Sequence, residues 1–255
     1  MRRWLPPLVL VLAGLAAWEL AARWDLLADL LSIEDFLVPA PSEIAEALWV
    51  QRETLADNAW VTLQEIVLGF ALALIAGVSL AIGIHLSETA RRAIYPLLVA
   101  SQTVPIVVIA PVLVVWFGFG IFPKLLIIAL ICFFPITVNT YDGLRSVDPD
   151  LLKMLRTLGA GRLQRLHRAE LPWALPFAFS GAKIAIAVAV IGAVFAEWAG
   201  SNSGLGHLIL VSSSELSTAL TFAAIVVLSA IAIALFAAMA LLERHVVNWR
   251  EDSTR

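Results

Sequence analysis

Several polar side chains stand inside long apolar segments of this 255-residue chain, and they are the residues best placed to do chemistry. They are Gln102, Thr103, Asn139, Lys183 and Glu197. Polar and ionisable groups are costly in apolar surroundings, so each is a candidate for function. Amides and hydroxyls donate and accept hydrogen bonds, and the two ionisable groups can carry charge. This chemistry suits recognition or passage of a solute rather than bond cleavage.

Gln102 and Thr103 precede Pro105, in an apolar segment that holds three prolines. Proline removes backbone hydrogen bonds, and free backbone groups at membrane depth are tolerated only against protein or a water-filled cavity. The two residues therefore either line a solute pathway or mark packing kinks with Gln102 bonded to a neighbouring helix. Asn139, which follows Pro135, is open to the same pair of interpretations.

Lys183 and Glu197 lie 14 residues apart in one apolar segment, about 21 Å along a helix, so they cannot pair with each other within one chain. The long stem of Lys183 can carry its ammonium group towards the cytosolic side, which favours a structural role. Glu197 is expected near the outer end beside Trp198. There it either meets water, or acts at a gate or a subunit contact.

No catalytic or nucleotide-binding motif accompanies these residues. The sequence has no P-loop, no Gly-x-Ser-x-Gly elbow and no paired metal-ligand spacing, and its four histidines are scattered. Cys132 is the single cysteine, which excludes an intrachain disulfide. We therefore predict a protein that is not an enzyme, with no catalytic residue, metal, cofactor or nucleic-acid partner.

The composition identifies the elements that hold these residues. Hydrophobic residues make up 61% of the chain, more than a soluble protein of this length can bury. Six apolar stretches are long enough, at about 20 residues each, to cross a bilayer. We predict an all-α polytopic bundle in one domain, residues 1–255, with spans at Leu5–Ala22, Val61–Leu86, Ile94–Phe117, Phe122–Tyr141, Ala174–Trp198 and Leu220–Leu242. A signal peptide is the alternative for the first stretch.

A polar segment at residues 146–172 interrupts the apolar ones. Asp148 can cap a helix and Pro149 suits its first turn. Leucines at positions 151, 152, 155 and 158 place one apolar face on this helix, and Gly159 stands where a helix ends in a left-handed residue. A membrane protein that presents such a ridge offers it to a partner.

Gly159, followed after twelve residues by Leu171-Pro172, resembles the cytoplasmic loop of ABC importer permeases. Lys153-Met154-Leu155 stands where that loop usually has Glu-Ala-Ala, which leaves the charge pairing with the partner open. The resemblance is to the permeases of the nitrate, sulfonate, taurine and thiamine-precursor group. It implies a cytoplasmic coupling helix that docks on an ATPase through Asp150, Leu151, Leu152, Leu155, Leu158, Gly159, Leu171 and Pro172.

The same resemblance implies the partners and the location. They are a pair of cytosolic ATPase subunits, an extracytoplasmic solute-binding protein, a second copy of this chain and the lipid of a bacterial inner membrane. A secondary transporter or channel that runs without an ATPase is the rival class, and such a protein needs no docking helix.

The placement of positive charge predicts the orientation. Thirteen of the 17 lysines and arginines fall in segments that are cytosolic when both termini are inside: Arg2, Arg3, Arg91, Arg92, Arg145, Lys153, Arg156, Arg162, Arg165, Arg168, Arg244, Arg250 and Arg255. Only Arg23 and Arg52 fall outside on this topology. Both termini are therefore predicted to be cytoplasmic.

Three segments bear on the solute. Residues 101–105, 116–120 and 132–139 resemble permeases for thiamine-precursor pyrimidines or riboflavin. Gln102, Thr103 and Asn139 also suit a neutral, amide-like heterocycle better than an anion. We predict a thiamine-precursor pyrimidine, with a sulfonate, taurine or nitrate as the alternative.

Overall fold

The chain folds into helices, and the computed structural model describes residues 5–24, 34 and 37–248. No β-strand occurs among these residues. The helices are α1 (Leu5–Arg23), α2 (Pro41–Val50), α3 (Arg52–Leu86), α4 (Glu88–Ser101), α5 (Ile106–Phe117), α6 (Ile121–Arg145), α7 (Pro149–Thr157), α8 (Arg162–Arg165), α9 (Leu171–Gly200), α10 (Leu205–Ser214) and α11 (Thr218–Val246). A π-helical turn, Leu166–Glu170, joins α8 to α9.

Four of these helices are long and apolar enough to cross a membrane: α3, α6, the continuous helix from α8 through α9, and α11. They contain four of the six predicted spans, and α4 with α5 makes a fifth if the pair counts as one span. The all-α membrane bundle is therefore confirmed, and the count of six spans stays a prediction. Arg2, Arg3, Arg250 and Arg255, which support the predicted orientation, lie outside the described residues.

The predicted third span is broken. Between α4 and α5 the chain turns by 101° at residues 102–105, with Pro105 as the N-cap of α5. The other two prolines of this segment, Pro96 and Pro111, lie inside helices. Pro105 therefore stands at the break, because at the start of a helix its missing N–H leaves no hydrogen bond unmade.

The chain divides into two compact units, of which the first contains residues 1–62 and 202–230. In this unit Glu19 accepts hydrogen bonds from the backbone N–H of Ser42 at 3.0 Å and from the Ser42 hydroxyl at 2.8 Å, which ties α1 to the start of α2. Two side chains of α3 accept hydrogen bonds from the start of α10. The N–H of Gly204 donates to Asn58 Oδ1, and the N–H of Leu205 donates to Thr62 Oγ1.

The second unit, residues 63–201 and 231–255, is built around α6. Glycines let α3 and α9 approach this helix closely. A Cβ on Gly69 or Gly77 of α3 would come within 3 Å of Ile128 or Ile136. A Cβ on Gly181 of α9 would lie 2.6 Å from the carbonyl oxygen of Pro135. These glycines keep the three helices in van der Waals contact.

Candidate functional site

A cavity of about 660 Å³ lies in the second unit, on α4, α5, α6, α9 and the break between α4 and α5. Three of its lining side chains are polar, namely Ser101, Gln102 and Asn139. The others are apolar, and Phe133 and Phe134 supply two aromatic rings. Among the residues that the structure describes, no charged side chain lines it. The structure thus brings Gln102 and Asn139, predicted separately, to one largely apolar chamber.

Two polar side chains of α6 near the cavity bond to their own helix. Asn139 Nδ2 donates to the carbonyl of Pro135 at 2.8 Å, and the Thr137 hydroxyl donates to Phe133 at 2.7 Å. These contacts therefore do not support the alternative in which Asn139 bonds to a neighbouring helix. Pro135 has no N–H to donate to the carbonyl one turn before it, and the side chain of Asn139 adds a hydrogen bond to the carbonyl of Pro135 itself.

Two of the predicted pathway residues lie elsewhere. Thr103 does not line the cavity, and its hydroxyl donates to the carbonyl of Ala100 at 2.8 Å. Glu197 does not line it either. Lys183 is also absent from the lining, because its ammonium group pairs with Glu243 of α11 at 2.7 Å. This pair satisfies the predicted structural role of Lys183 and leaves the chamber without a fixed positive charge.

Glu197 is buried, with 1% of its surface exposed, so the alternative in which it meets water is wrong. Glu65, on α3, is buried as well, with 2% of its surface exposed. Lys124, in the first turn of α6, donates to Glu65 Oε1 and to the hydroxyl of Ser201, each at 2.6 Å. Buried charges are retained in proteins when they are paired and hydrogen-bonded.

The polar segment at 146–172 forms the predicted helix. Asp148 caps α7 by accepting the N–H of Asp150 at 2.8 Å, and Pro149 is its first residue. Gly159 has φ +80°, the left-handed conformation that glycine adopts without strain. No residue of α7 is buried, and Leu158 is 75% exposed. An apolar ridge that is this exposed to solvent is a surface on which a partner can pack.

The leucines of α7 differ in their surroundings. Leu151 and Leu155 lie with Pro172 and Trp173 around a cavity of about 290 Å³. Leu171 packs instead on a core cluster that includes Leu144. Of the predicted docking leucines, Leu158 is therefore the most open to a partner, whereas Leu171 packs on the core of its own chain.

Side chains that no sequence pattern indicated attach this segment to the bundle. Glu170 lies 2.9 Å from His85 at the end of α3, and both are largely buried. Trp173 donates to the hydroxyl of Ser146 at 3.1 Å. His85 was grouped with the scattered histidines, because nothing in its local sequence indicates a partner 85 residues away. Glu65 and Lys124 were missed as a site for the same reason, although an ionisable residue within a span is itself a signal.

Comparison with known proteins decides the family. Residues 69–248 match the model of the family described as binding-protein-dependent transport system inner membrane component. The chain belongs to this family. It is a multi-pass inner-membrane permease subunit of an ABC importer, and the ATPase of such a transporter is a separate subunit, so the permease itself is not an enzyme.

Two relatives show how wide the range of solutes is for permeases similar to this one. The chain is 36% identical, over 97% of its length and 96% of the relative, to the formylaminopyrimidine transport permease protein ThiX of Halalkalibacterium halodurans. It is 32% identical to the putative aliphatic sulfonates transport permease protein SsuC of Bacillus subtilis, over 91% of this chain and 84% of that one.

A solved structure shares the fold of the permease. The inward-facing MetNI methionine ABC transporter contains a chain that superposes with a TM-score of 0.69 at 16% identity, covering 77% of this permease and 97% of that chain. The likeness confirms the fold class.

Proposed function

We propose that the cavity on α4, α5, α6 and α9 is the solute pathway of this permease, and that its solute is a neutral heterocycle of the aminopyrimidine class. The observation that supports this solute is the absence of charge from the cavity lining. Gln102 and Asn139 offer amide groups, which donate and accept hydrogen bonds as ring nitrogens and exocyclic amines require. Phe133 and Phe134 offer faces on which a flat ring can stack.

An anionic solute fits this cavity less well. A sulfonate or nitrate gains from a fixed cation or from helix N-termini along its path. Lys183, the deep cation of the fifth predicted span, is neutralised by Glu243 and does not belong to the lining. The relative named for formylaminopyrimidine supports the same choice, and the relative named for sulfonates marks the alternative.

The proposed mechanism couples this pathway to ATP hydrolysis. The segment 146–172 docks on a cytosolic ATPase through Asp150, Leu151, Leu152, Leu155, Leu158 and Gly159, with Leu171 and Pro172 joining it to α9. Two copies of the permease, each with such a helix, follow the closing and opening of the ATPase pair. An extracytoplasmic binding protein delivers the solute, and both termini of the permease lie in the cytoplasm.

Uptake by the reconstituted transporter tests the solute. Proteoliposomes that contain the permease, its ATPase and its binding protein are supplied with ATP and with labelled formylaminopyrimidine, taurine or nitrate. We expect ATP-dependent uptake of the pyrimidine alone. Uptake of taurine or nitrate without uptake of the pyrimidine overturns the choice of solute, and uptake of any of them without ATP overturns the assignment of an ATPase-driven pathway.

A further inference from the structure

A second cavity lies in the second unit, between the start of α4 and the end of α6. Its volume is about 430 Å³, and none of the residues that the structure describes lines both this cavity and the solute cavity. Three arginines line it: Arg91 and Arg92 from the first turns of α4, and Arg145, the last residue of α6. The rest of the lining is Tyr95, Pro96, Tyr141 and Asp142. The predicted orientation places this end of both helices at the cytoplasmic surface of the membrane.

The charged groups around this cavity leave one positive charge in excess. Glu88 accepts hydrogen bonds from Arg91 and from Arg92, the latter at 3.1 Å. Asp142 is the carboxylate of the lining, and it is exposed. Two carboxylates therefore stand against three guanidinium groups. Arg145 forms no salt bridge within the described part of the chain, so its charge is the one available to an anion.

Two tyrosines hold the guanidinium group of Arg145 beside the cavity. Its Cζ atom lies 5.5 Å from the centroid of the Tyr141 ring, within the range of cation–π attraction. Tyr141 is 4% exposed, and its ring packs against that of Tyr95 with the centroids 5.8 Å apart. An arginine that stacks on a buried ring has less side-chain freedom to lose when it binds an anion. The guanidinium group is therefore placed for the two-pronged contact that arginine makes with phosphate oxygens.

An exposed apolar strip on α4 continues from the cavity. Pro96 and Val99 follow Arg92 by four and seven positions, so the three residues share one face of the helix. Pro96 lines the cavity, Val99 is 48% exposed, and the neighbouring Leu97 is 68% exposed. A ligand that covers both features has an anionic group joined to an apolar tail. A soluble anion or an acidic peptide would cover only the charged part.

We propose that this cavity binds the phosphate headgroup of an anionic phospholipid from the surrounding membrane, with the acyl chains lying on the exposed strip of α4. The single excess positive charge matches the single negative charge of a phosphodiester. A zwitterionic lipid brings its own ammonium group towards the same arginines and gains less from them. Basic pockets between membrane-spanning helices on the cytoplasmic side bind lipid headgroups by this chemistry.

Native mass spectrometry of the permease in complex with its ATPase tests this binding. The detergent-solubilised complex is titrated with phosphatidylglycerol and, separately, with phosphatidylethanolamine that has the same acyl chains. We expect phosphatidylglycerol to bind about fivefold more tightly, which is the effect of one basic residue at an anionic lipid surface. Arg145→Gln should remove this preference. Equal affinity of the wild-type complex for the two lipids overturns the proposal.

Two further variants separate this cavity from a general effect of charge. Asp142→Asn removes the carboxylate of the lining and should strengthen the binding of phosphatidylglycerol, a gain that a folding defect does not produce. Arg244→Gln is the matched control, because Arg244 is an exposed arginine in the last turn of α11 and does not line the cavity. It should keep the wild-type preference. Equal losses in Arg145→Gln and Arg244→Gln, or no gain in Asp142→Asn, contradict binding at this cavity.

Two other occupants would give distinct results in the same experiment. Inorganic phosphate has the charge but no tail, so at a concentration equal to that of the lipid it should not displace phosphatidylglycerol. Displacement by phosphate shows an anion site without preference for lipid. Loss of the ATPase from the Arg145→Gln complex, with lipid binding unchanged, assigns the arginines to contact with the partner subunit. Either result overturns the phospholipid as the occupant.

Discussion

At the scale of single residues, Gln102 and Thr103 are neighbours in sequence with different surroundings. Gln102 lines the cavity, whereas the hydroxyl of Thr103 donates a hydrogen bond to the carbonyl of Ala100. A neutral hydrogen bond contributes about 1 kcal/mol, which corresponds to roughly a fivefold effect. We expect Gln102→Ala to lower the rate of solute uptake by about that factor, measured in proteoliposomes at saturating ATP.

Thr103→Ala is the control for this prediction, because it removes a polar group at the adjacent position and leaves the lining intact. It should keep the wild-type rate of uptake. If both variants transport equally well, the amide of Gln102 makes no contact with the solute that limits transport.

Residue-level features were predictable where the partner is close in sequence. The Asp148 cap and the left-handed Gly159 follow from local rules, and the structure has both. The ion pair of Glu65 with Lys124 was missed because the two residues lie 59 positions apart. Only the packing of α3 on α6 brings them together, and no local pattern encodes that packing.

At the scale of elements, the turn after α7 depends on Gly159. Its φ of +80° is strained for any residue with a branched Cβ, at a cost of about 1–3 kcal/mol. We expect Gly159→Val to insert normally into the membrane and to lose transport-stimulated ATP hydrolysis. Gly161→Val is the matched control, because Gly161 has φ −65° and a Cβ there would have no atom closer than 3.9 Å.

The comparison between the two glycine variants decides what the turn does. Full transport activity in Gly159→Val removes the mechanical role that we assign to this turn. Equal loss in both variants points to a general effect of side-chain volume in this segment.

The apolar ridge of α7 gives a second prediction for this element. Leu158 is its most exposed leucine, so Leu158→Glu should leave folding unchanged and prevent co-purification of the ATPase subunit. Thr157→Glu adds the same charge at an exposed neighbouring position and should retain the ATPase. Retention of the ATPase by both variants contradicts docking through the apolar ridge.

Elements were predicted well where apolar length decides the outcome, and less well where a backbone break does. The spans in α3, α6, α9 and α11 follow from hydropathy alone. The break at residues 102–105 was one of three sites at which a proline stood in the third span. Pro96 and Pro111 are accommodated inside helices, and the sequence does not distinguish a proline that bends a helix from one that begins the next.

At the scale of the whole molecule, the orientation in the membrane is a prediction of charge placement. Cysteine introduced by Asn202→Cys should react with a membrane-impermeant thiol reagent in intact cells, and cysteine introduced by Gln164→Cys should not. Both positions are exposed, whereas the native Cys132 is fully buried and does not interfere. Labelling of Gln164→Cys in intact cells, with Asn202→Cys unlabelled, reverses the orientation. Reaction of both cysteines only after the membrane is permeabilised also contradicts it.

The contact between His85 and Glu170 has a mechanical consequence for the whole permease. The segment that carries α7 is continuous with α9 at Leu171, and Glu170 fastens the same point to the far end of α3. A displacement of that segment is therefore transmitted to α9 and to the end of α3 at the same time. Without this contact, the link between the segment and the end of α3 would rest on the packing of Ile82 and Leu86 against the cluster that contains Leu166, and on the hydrogen bond from Arg162 to the carbonyl of His85.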